Sequence, residues 1–146
     1  MKILLVSDSH GNNSALDELA IKYPNMDLYL HAGDLEADEQ SIRPFECVKG
    51  NCDHFSRLPE RRIINTSFGA LFMTHLPYLP KEIVEKYNIK IFIYGHTHRR
   101  KFELVDGIYY INPGAISFAR DGFDLSYAIL TITSEKVEIE FKTLLD

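Results

Sequence analysis

The sequence predicts an α/β fold in which two β-sheets stack as a sandwich flanked by helices. Three observations carry this expectation. The first half of the chain alternates short apolar, β-branched runs with segments at helical spacing. The second half is mostly pairs of strand-like runs around turn residues. Strand after strand also stops abruptly at a polar residue, as in folds whose sheets present one working rim.

Taken in order, Lys2 to Val6 is an apolar run of buried-strand length. It stops at Ser7-Asp8-Ser9-His10-Gly11. Asn12, Asn13 and Ser14 are candidate caps for a helix over about Ala15 to Lys22, with Leu16, Leu19 and Ala20 on one face, and Pro24 ends it. Leu28 to Ala32 reads as a second strand stopping at Gly33-Asp34. Glu36 to Gln40 reads as a loop or short helix, and Glu46 to Lys49 as a third short strand ending at Gly50-Asn51.

Arg62 to Asn65 and Ala70 to Thr74 then read as strands around a turn near Ser67-Phe68-Gly69, the second stopping at His75. Pro80 to Tyr87 has helical spacing, and Pro80 suits a first turn. Ile91 to Tyr94 is a buried-type strand stopping at Gly95-His96-Thr97-His98. Lys101 to Val105 and Ile108 to Ile111 flank Asp106-Gly107, a strong hairpin signal. Tyr109 and Tyr110 should pack on opposite faces. Asn112-Pro113-Gly114 reads as a turn. Ser126 to Thr133 and Lys136 to Leu144 complete the strands, with Ile129, Ile132, Val137, Ile139 and Phe141 as a candidate exposed edge for a homo-oligomer.

Bulk properties narrow the class. The chain has 146 residues, 45% of them hydrophobic, and a formal net charge of -5. One domain spanning residues 1–146 fits that length. The composition is neither disordered nor fibrous. The negative charge excludes bulk coating of nucleic acid. Ile3 to Val6 is too short for a signal-peptide core, and no apolar stretch approaches membrane-spanning length. A cytoplasmic, soluble protein is expected, with Cys47 and Cys52 reduced.

The strand-end residues form one ordered set: Asp8 with His10, Asp34, Asn51, His75, and His96 with His98. Carboxylate, amide and imidazole ligands suit Mn, Fe, Zn, Ni or Co. On an extended chain, the two-residue spacing in Asp8-x-His10 and His96-x-His98 would put both members on one face. Four of the six histidines lie inside the set, which separates it from the ordinary use of Asp, Asn and Gly in turns. His31, one place before Ala32, is expected in the core or rim. Cys47 reads as a small core residue, and Asp53 as a turn or supporting residue.

This ordered set resembles the calcineurin-like metallophosphoesterase superfamily, and within it the small YfcE-like phosphodiesterase branch. The resemblance runs from Lys2 to about Ser117, and the Gly50-Asn51-Cys52-Asp53 block fits that branch. It implies a four-layer β-sandwich flanked by helices. It implies two divalent metal ions, manganese first, with Zn, Fe, Ni, Co or Mg admissible. Asp8, His10, Asp34 and His98 would hold one ion and Asp34, Asn51, His75 and His96 the other, with Asp34 bridging. Asp34, Asn51 and His75 would carry catalysis. Phosphodiesters would be hydrolysed by a hydroxide bridging the two ions.

A charge count agrees weakly with a diester, because two divalent ions, two carboxylates and a hydroxide leave one positive charge for a monoanion. Arg99, Arg100 and Lys101 are a basic run that either faces water or helps a dianion. One departure from the superfamily is Cys52, where many members carry a His that serves the leaving group. A second is Ala37, where many carry the Asp that orients that His. Good leaving groups, or protons from water, are the consequence, with His54 a possible substitute. Asn112, Phe118, Arg120 and Phe123 are candidate supporting or substrate contacts. The alternatives are a phosphomonoesterase or nucleotide hydrolase with the same metals, a protein-binding scaffold like the retromer subunit of this fold, and a one-metal binder.

Overall fold

The computed structural model describes residues 1–54, 56–117, 122 and 124–144, so Phe118, Arg120 and Phe123 lie outside the described residues. Among the described residues, ten strands form two five-stranded sheets. The first sheet has the order β10-β9-β1-β2-β3, from β1 (Lys2–Val6), β2 (Leu28–His31), β3 (Glu46–Cys47), β9 (Ser126–Ile132) and β10 (Val137–Thr143). The second has the order β4-β5-β6-β8-β7, from β4 (Arg61–Asn65), β5 (Ala70–Thr74), β6 (Ile89–Ile93), β7 (Arg100–Val105) and β8 (Ile108–Pro113). The expected two-sheet sandwich is the fold observed.

Alternation along the strands builds the layers. Ile3, Leu5 and Leu30 meet Leu71, Met73, Ile91 and Ile93 between the sheets. The intervening residues Leu4 and Val6 face outward onto Ala15, Leu16 and Leu19 of α1 (Asn13–Lys22). Phe72 and Phe92 face outward onto Ile83 of α2 (Lys81–Tyr87). The layers therefore run helix, sheet, sheet, helix. β1 reads as continuously apolar because both of its faces are covered. Each large aliphatic side chain so buried contributes roughly 1.5–3 kcal/mol of transfer free energy. Tyr109 packs against the inter-sheet core and Tyr110 against the α2 cluster, on opposite faces as expected.

Helix starts follow their caps. Of the three candidate caps, Asn12 is used: its Oδ1 accepts the Ala15 N–H at 3.4 Å and the Ser14 hydroxyl at 3.0 Å. Pro80 is the residue that precedes α2, and Asn88 ends that helix in the left-handed region at φ 52°.

Several boundaries differ from the sequence reading. β2 stops at His31, although the Ala32 N–H still donates to the Val6 carbonyl at 2.9 Å, and β3 shortens to Glu46–Cys47. β6 starts earlier, at Ile89, and ends at Ile93. The acidic segment forms a 3-10 turn at Glu39–Ile42. Asn112 and Pro113 are not a turn but the end of β8, where Pro113 pairs with Arg100 of the outermost strand. Of the C-terminal strands, only β10 is an edge, since β9 pairs with both β1 and β10.

Strand direction places the chemistry. β1, β2 and β3 are mutually parallel, and so are β5, β6 and β8. The loops after β1, β2, β3, β5 and β6 therefore gather at one rim, beyond the carboxyl ends of their strands.

Candidate metal centre

The seven strand-end residues converge at that rim, but not by the extended spacing expected. Asp8, His10, Asp34, His96 and His98 all lie in the left-handed region, with φ between 46° and 66°. The chain kinks at every second residue. Each such residue without glycine's freedom costs about 1 kcal/mol or more, and Asp and His tolerate the region better than most. Glu36, at φ 53°, repeats the device two residues after Asp34. The first two loops run side by side: the N–H groups of Asp8, His10 and Gly11 donate to the carbonyls of Gly33, Asp34 and Leu35 at 2.8–2.9 Å. This ladder offsets the strain.

Each polar group spends part of its bonding capacity on its own support and presents the rest inward. Asp8 Oδ2 accepts the Ser7 hydroxyl at 2.5 Å and the His96 N–H at 3.1 Å. That leaves Oδ1, which is buried and has no hydrogen-bond partner among the described residues. Asp34 Oδ1 accepts the Cys52 N–H at 2.8 Å, leaving Oδ2. His75 Nδ1 donates to the Ala32 carbonyl at 2.8 Å, which fixes the tautomer and aims the bare Nε2 inward, where it too has no hydrogen-bond partner among the described residues. His10 Nδ1 bonds Glu36 Oε1 at 3.0 Å, so its Nε2 also faces the centre.

The inward atoms crowd together. Asp8 Oδ1 lies 3.3 Å from His98 Nε2, 3.9 Å from His10 Nε2 and 3.9 Å from His75 Nε2. Asp34 Oδ2 lies 3.3 Å from His75 Nε2 and 3.8 Å from His10 Nε2. His96 Nδ1 and Asn51 Oδ1 are 3.0 Å apart, and the His96 ring stands edge-on to His75 at 5.3 Å. Two triads, Asp8–His10–His98 and Asp8–Asp34–His75, have their ligand atoms within 4.8 Å of one another. Asp8 Oδ1 and His75 Nε2, buried without hydrogen-bond partners among the described residues, are what a cation needs, and residues of these types fit a divalent ion.

Against known proteins, the description "calcineurin-like phosphoesterase superfamily domain" matches residues 1–135. The chain belongs to this superfamily. The probable metallophosphoesterase YsnB of Bacillus subtilis is 30% identical, over 97% of this chain and 90% of its own length. The phosphodiesterase YfcE of Escherichia coli is 30% identical over 57% of this chain and 50% of its own. A Streptococcus pneumoniae structure described as a predicted phosphoesterase superposes with a TM-score of 0.86 at 28% identity, over 98% of this chain and 89% of that one. A Vps29 variant of Entamoeba histolytica superposes at 0.77 and 25% identity, over 100% and 94%.

In this calcineurin-like phosphoesterase the charge environment is uneven. Burial pushes the Asp8 carboxyl above its usual range, and Ser7, His75 and His98 only partly oppose it. Burial acts the same way on Asp34. There the neighbouring His75, the Cys52 N–H and His10 outweigh it and hold the carboxyl well below the carboxylate range. Burial lowers His75, but Asp34 and Asp8 outweigh it and hold the imidazole above its ordinary value. The Cys52 thiol is pushed up to about 11 by desolvation and the Asp34 charge, so it is not a thiolate at neutral pH.

Supporting residues complete the rim. Asp53 is buried, and its carboxylate accepts the N–H groups of Asp34 at 2.9 Å, Gly50 at 2.7 Å and Glu36 at 2.7 Å. Asn112 donates to the Gly95 carbonyl at 3.0 Å and to Thr97 Oγ1 at 3.1 Å, pinning the His96–His98 loop. His31 is fully buried, accepting the Gly33 N–H at Nδ1 and bonding Ser9 Oγ at 2.8 Å. Cys47 is a buried core residue. Sequence reasoning missed Glu36 and Ser7. Glu36 was legible as a repeat, because it follows Asp34 at the spacing by which His10 follows Asp8.

Two openings flank the centre. One, of about 740 Å³, is lined by Glu36, Cys52, His54 and Arg57 among others. The other, of about 270 Å³, is lined by Asn51, His75, Lys49 and Leu76 among others. His54 is exposed in the first. Lys101 is exposed and paired with Glu103 at 2.9 Å.

Proposed function

We propose that this chain is a dinuclear metal-dependent phosphodiesterase, its residues 1–146 acting as one domain. The observation that carries the reading is the convergence of Asp8 Oδ1 and Asp34 Oδ2 on three imidazole Nε2 atoms, through five carboxylate–imidazole contacts of 3.3–3.9 Å, with the neighbouring Asn51–His96 pair. Asp8, His10, Asp34 and His98 would hold one ion. Asp34, Asn51, His75 and His96 would hold the other, with Asp34 shared. Manganese is the first choice by the family resemblance alone, since oxygen and imidazole ligands accept several divalent ions.

Bound ions at this position would neutralise phosphate charge and acidify a water for in-line attack. The chain's own residues fix the arrangement. Glu36 and the Ala32 carbonyl orient His10 and His75, and Asp53 holds the loop that carries Asp34. The two flanking openings support a diester, whose phosphorus carries two organic arms. The relative named a phosphodiesterase, matched over half of its own length, supports the same choice. Cys52 stands on the wall of the larger opening as a neutral thiol, so the leaving group would depend on water for its proton or be acidic itself. The substrate is then a small soluble phosphate ester, handled in the cytoplasm.

The test is a panel of phosphate diesters and their matching monoesters, assayed with each divalent ion. Turnover of diesters over monoesters with two ions per chain is expected. A monoester preference would leave a phosphomonoesterase with the same site. Stoichiometric metal without turnover of any ester would leave a scaffold, the reading the Vps29 likeness favours.

A further inference from the structure

β7 is the outermost strand of the second sheet, and among the described residues no strand pairs with its free edge. Edges of this kind template pairing with another chain. Phe102, Leu104 and Val105 are exposed there at 38%, 57% and 38%.

The hairpin geometry decides which backbone groups face outward. Val105 and Ile108 flank the two-residue turn Asp106-Gly107, whose φ angles of 50° and 80° are those of a type I′ turn. The flanking pair in such a hairpin exchanges both N–H···O bonds, and every second pair along the ladder repeats the exchange. Val105, Glu103 and Lys101 thus direct their backbone groups at β8. Those of Phe102 and Leu104 point to the open edge.

The side chains alternate with them. Phe102 and Leu104 stand opposite Ile111 and Tyr109, on the face that continues the inter-sheet core. Phe102 stacks on Tyr109 at 5.3 Å. Lys101 and Glu103 share the other face, joined at 2.9 Å.

We propose that β7 pairs antiparallel with β7 of a second copy of this chain, about a two-fold axis at Phe102. Charge selects this register. With Phe102 against its own copy, the outward groups of the two Phe102 residues bond each other, and Lys101 faces the partner's Glu103 at both ends of the pairing. Moving the axis one residue along the strand puts Lys101 against Lys101 or Glu103 against Glu103, and directly opposed like charges are unfavourable. Moving it to Leu104 leaves Lys101 beyond the paired residues. The same register brings the two Phe102 rings together on the apolar face and continues each second sheet into the other.

Sedimentation of the full chain across the micromolar range tests this, with circular dichroism as the check on folding. The wild type is expected to dimerise. Lys101→Glu and Glu103→Lys should each raise the dimer dissociation constant roughly tenfold or more. Mixed in equal amounts, the two variants should dimerise again, because the acidic pair of one meets the basic pair of the other. If a reversal prevents folding, Lys101→Gln and Glu103→Gln replace the pair, and each should weaken the dimer. A wild type that stays monomeric, a dimer indifferent to these substitutions, or reversed variants that fail to recover on mixing would overturn the proposal.

Discussion

The carboxylate of Asp53 accepts the backbone N–H of Asp34 at 2.9 Å, nineteen positions back along the chain. Two further N–H groups, from Gly50 and Glu36, complete its acceptor set. One buried anion therefore ties the loop after β2 to the loop after β3. Asp53→Ala should leave three N–H groups without their acceptor and lower unfolding free energy by roughly 3 kcal/mol or more. Asp53→Asn, which keeps one acceptor oxygen, should lose less. Urea unfolding of both variants measures the difference, and an Asp53→Ala loss well below that value would show that these three bonds do not hold the loops.

His31 makes stability depend on pH. Burial holds its folded pKa at about 3, against 6.5 for a free imidazole, with the Asp53 charge only partly opposing. The neutral ring accepts the Gly33 N–H, which a doubly protonated ring could not do. The unfolded chain binds the proton and the fold does not, so stability is complete above about pH 6.5. It falls by up to about 1.4 kcal/mol for each unit of acidification toward pH 3. Between pH 6.5 and 5, before most carboxylates titrate, the metal-free His31→Gln protein should show a flatter profile than wild type. Identical slopes would refute the assignment.

Gly95 is required by closeness. A Cβ there would stand 2.0 Å from Ser7 Oγ and 2.7 Å from Asp8 Oδ2. Gly95→Ala should push the His96–His98 loop off Asp8 and cost about 1–3 kcal/mol. Adding Ser7→Ala removes the nearest atom, so the double variant should recover part of the loss. Strict additivity of the two effects would count against the clash.

In the proposed dinuclear centre, metal content would distinguish shared from unshared ligands. Asp34→Ala should lose both ions, whereas His98→Ala should lose mainly one. Elemental analysis of protein prepared in manganese reads the ratio directly. If Asp34→Ala keeps one ion at full occupancy, Asp34 does not bridge.

Cys52 should be dispensable. Cys52→Ala is expected to keep both ions and diester turnover within about threefold, since a protonated thiol is a poor general acid at neutral pH. Cys52→His should raise monoester turnover relative to diester. Loss of diester hydrolysis by Cys52→Ala with the metals retained would give the thiol a direct part in the reaction.

Much of this was legible in residue order. Apolar runs located the strands because β1 and β6 are covered on both faces, and a continuous Ile-Leu-Val pattern has few other uses. Asp8, His10, Asp34, Asn51, His75, His96 and His98 stood out because each interrupts such a run with a metal-ligating side chain. Identity and spacing determined that much. Tertiary structure decided what depends on contacts between distant segments: the left-handed kinks that replace extended spacing, the recruitment of Glu36 and Ser7, the three donors on Asp53 and the outer position of β7. A residue's chemistry is written in its side chain, but which lone pair stays bare is fixed by neighbours up to eighty-eight positions away, as the His96 N–H on Asp8 shows.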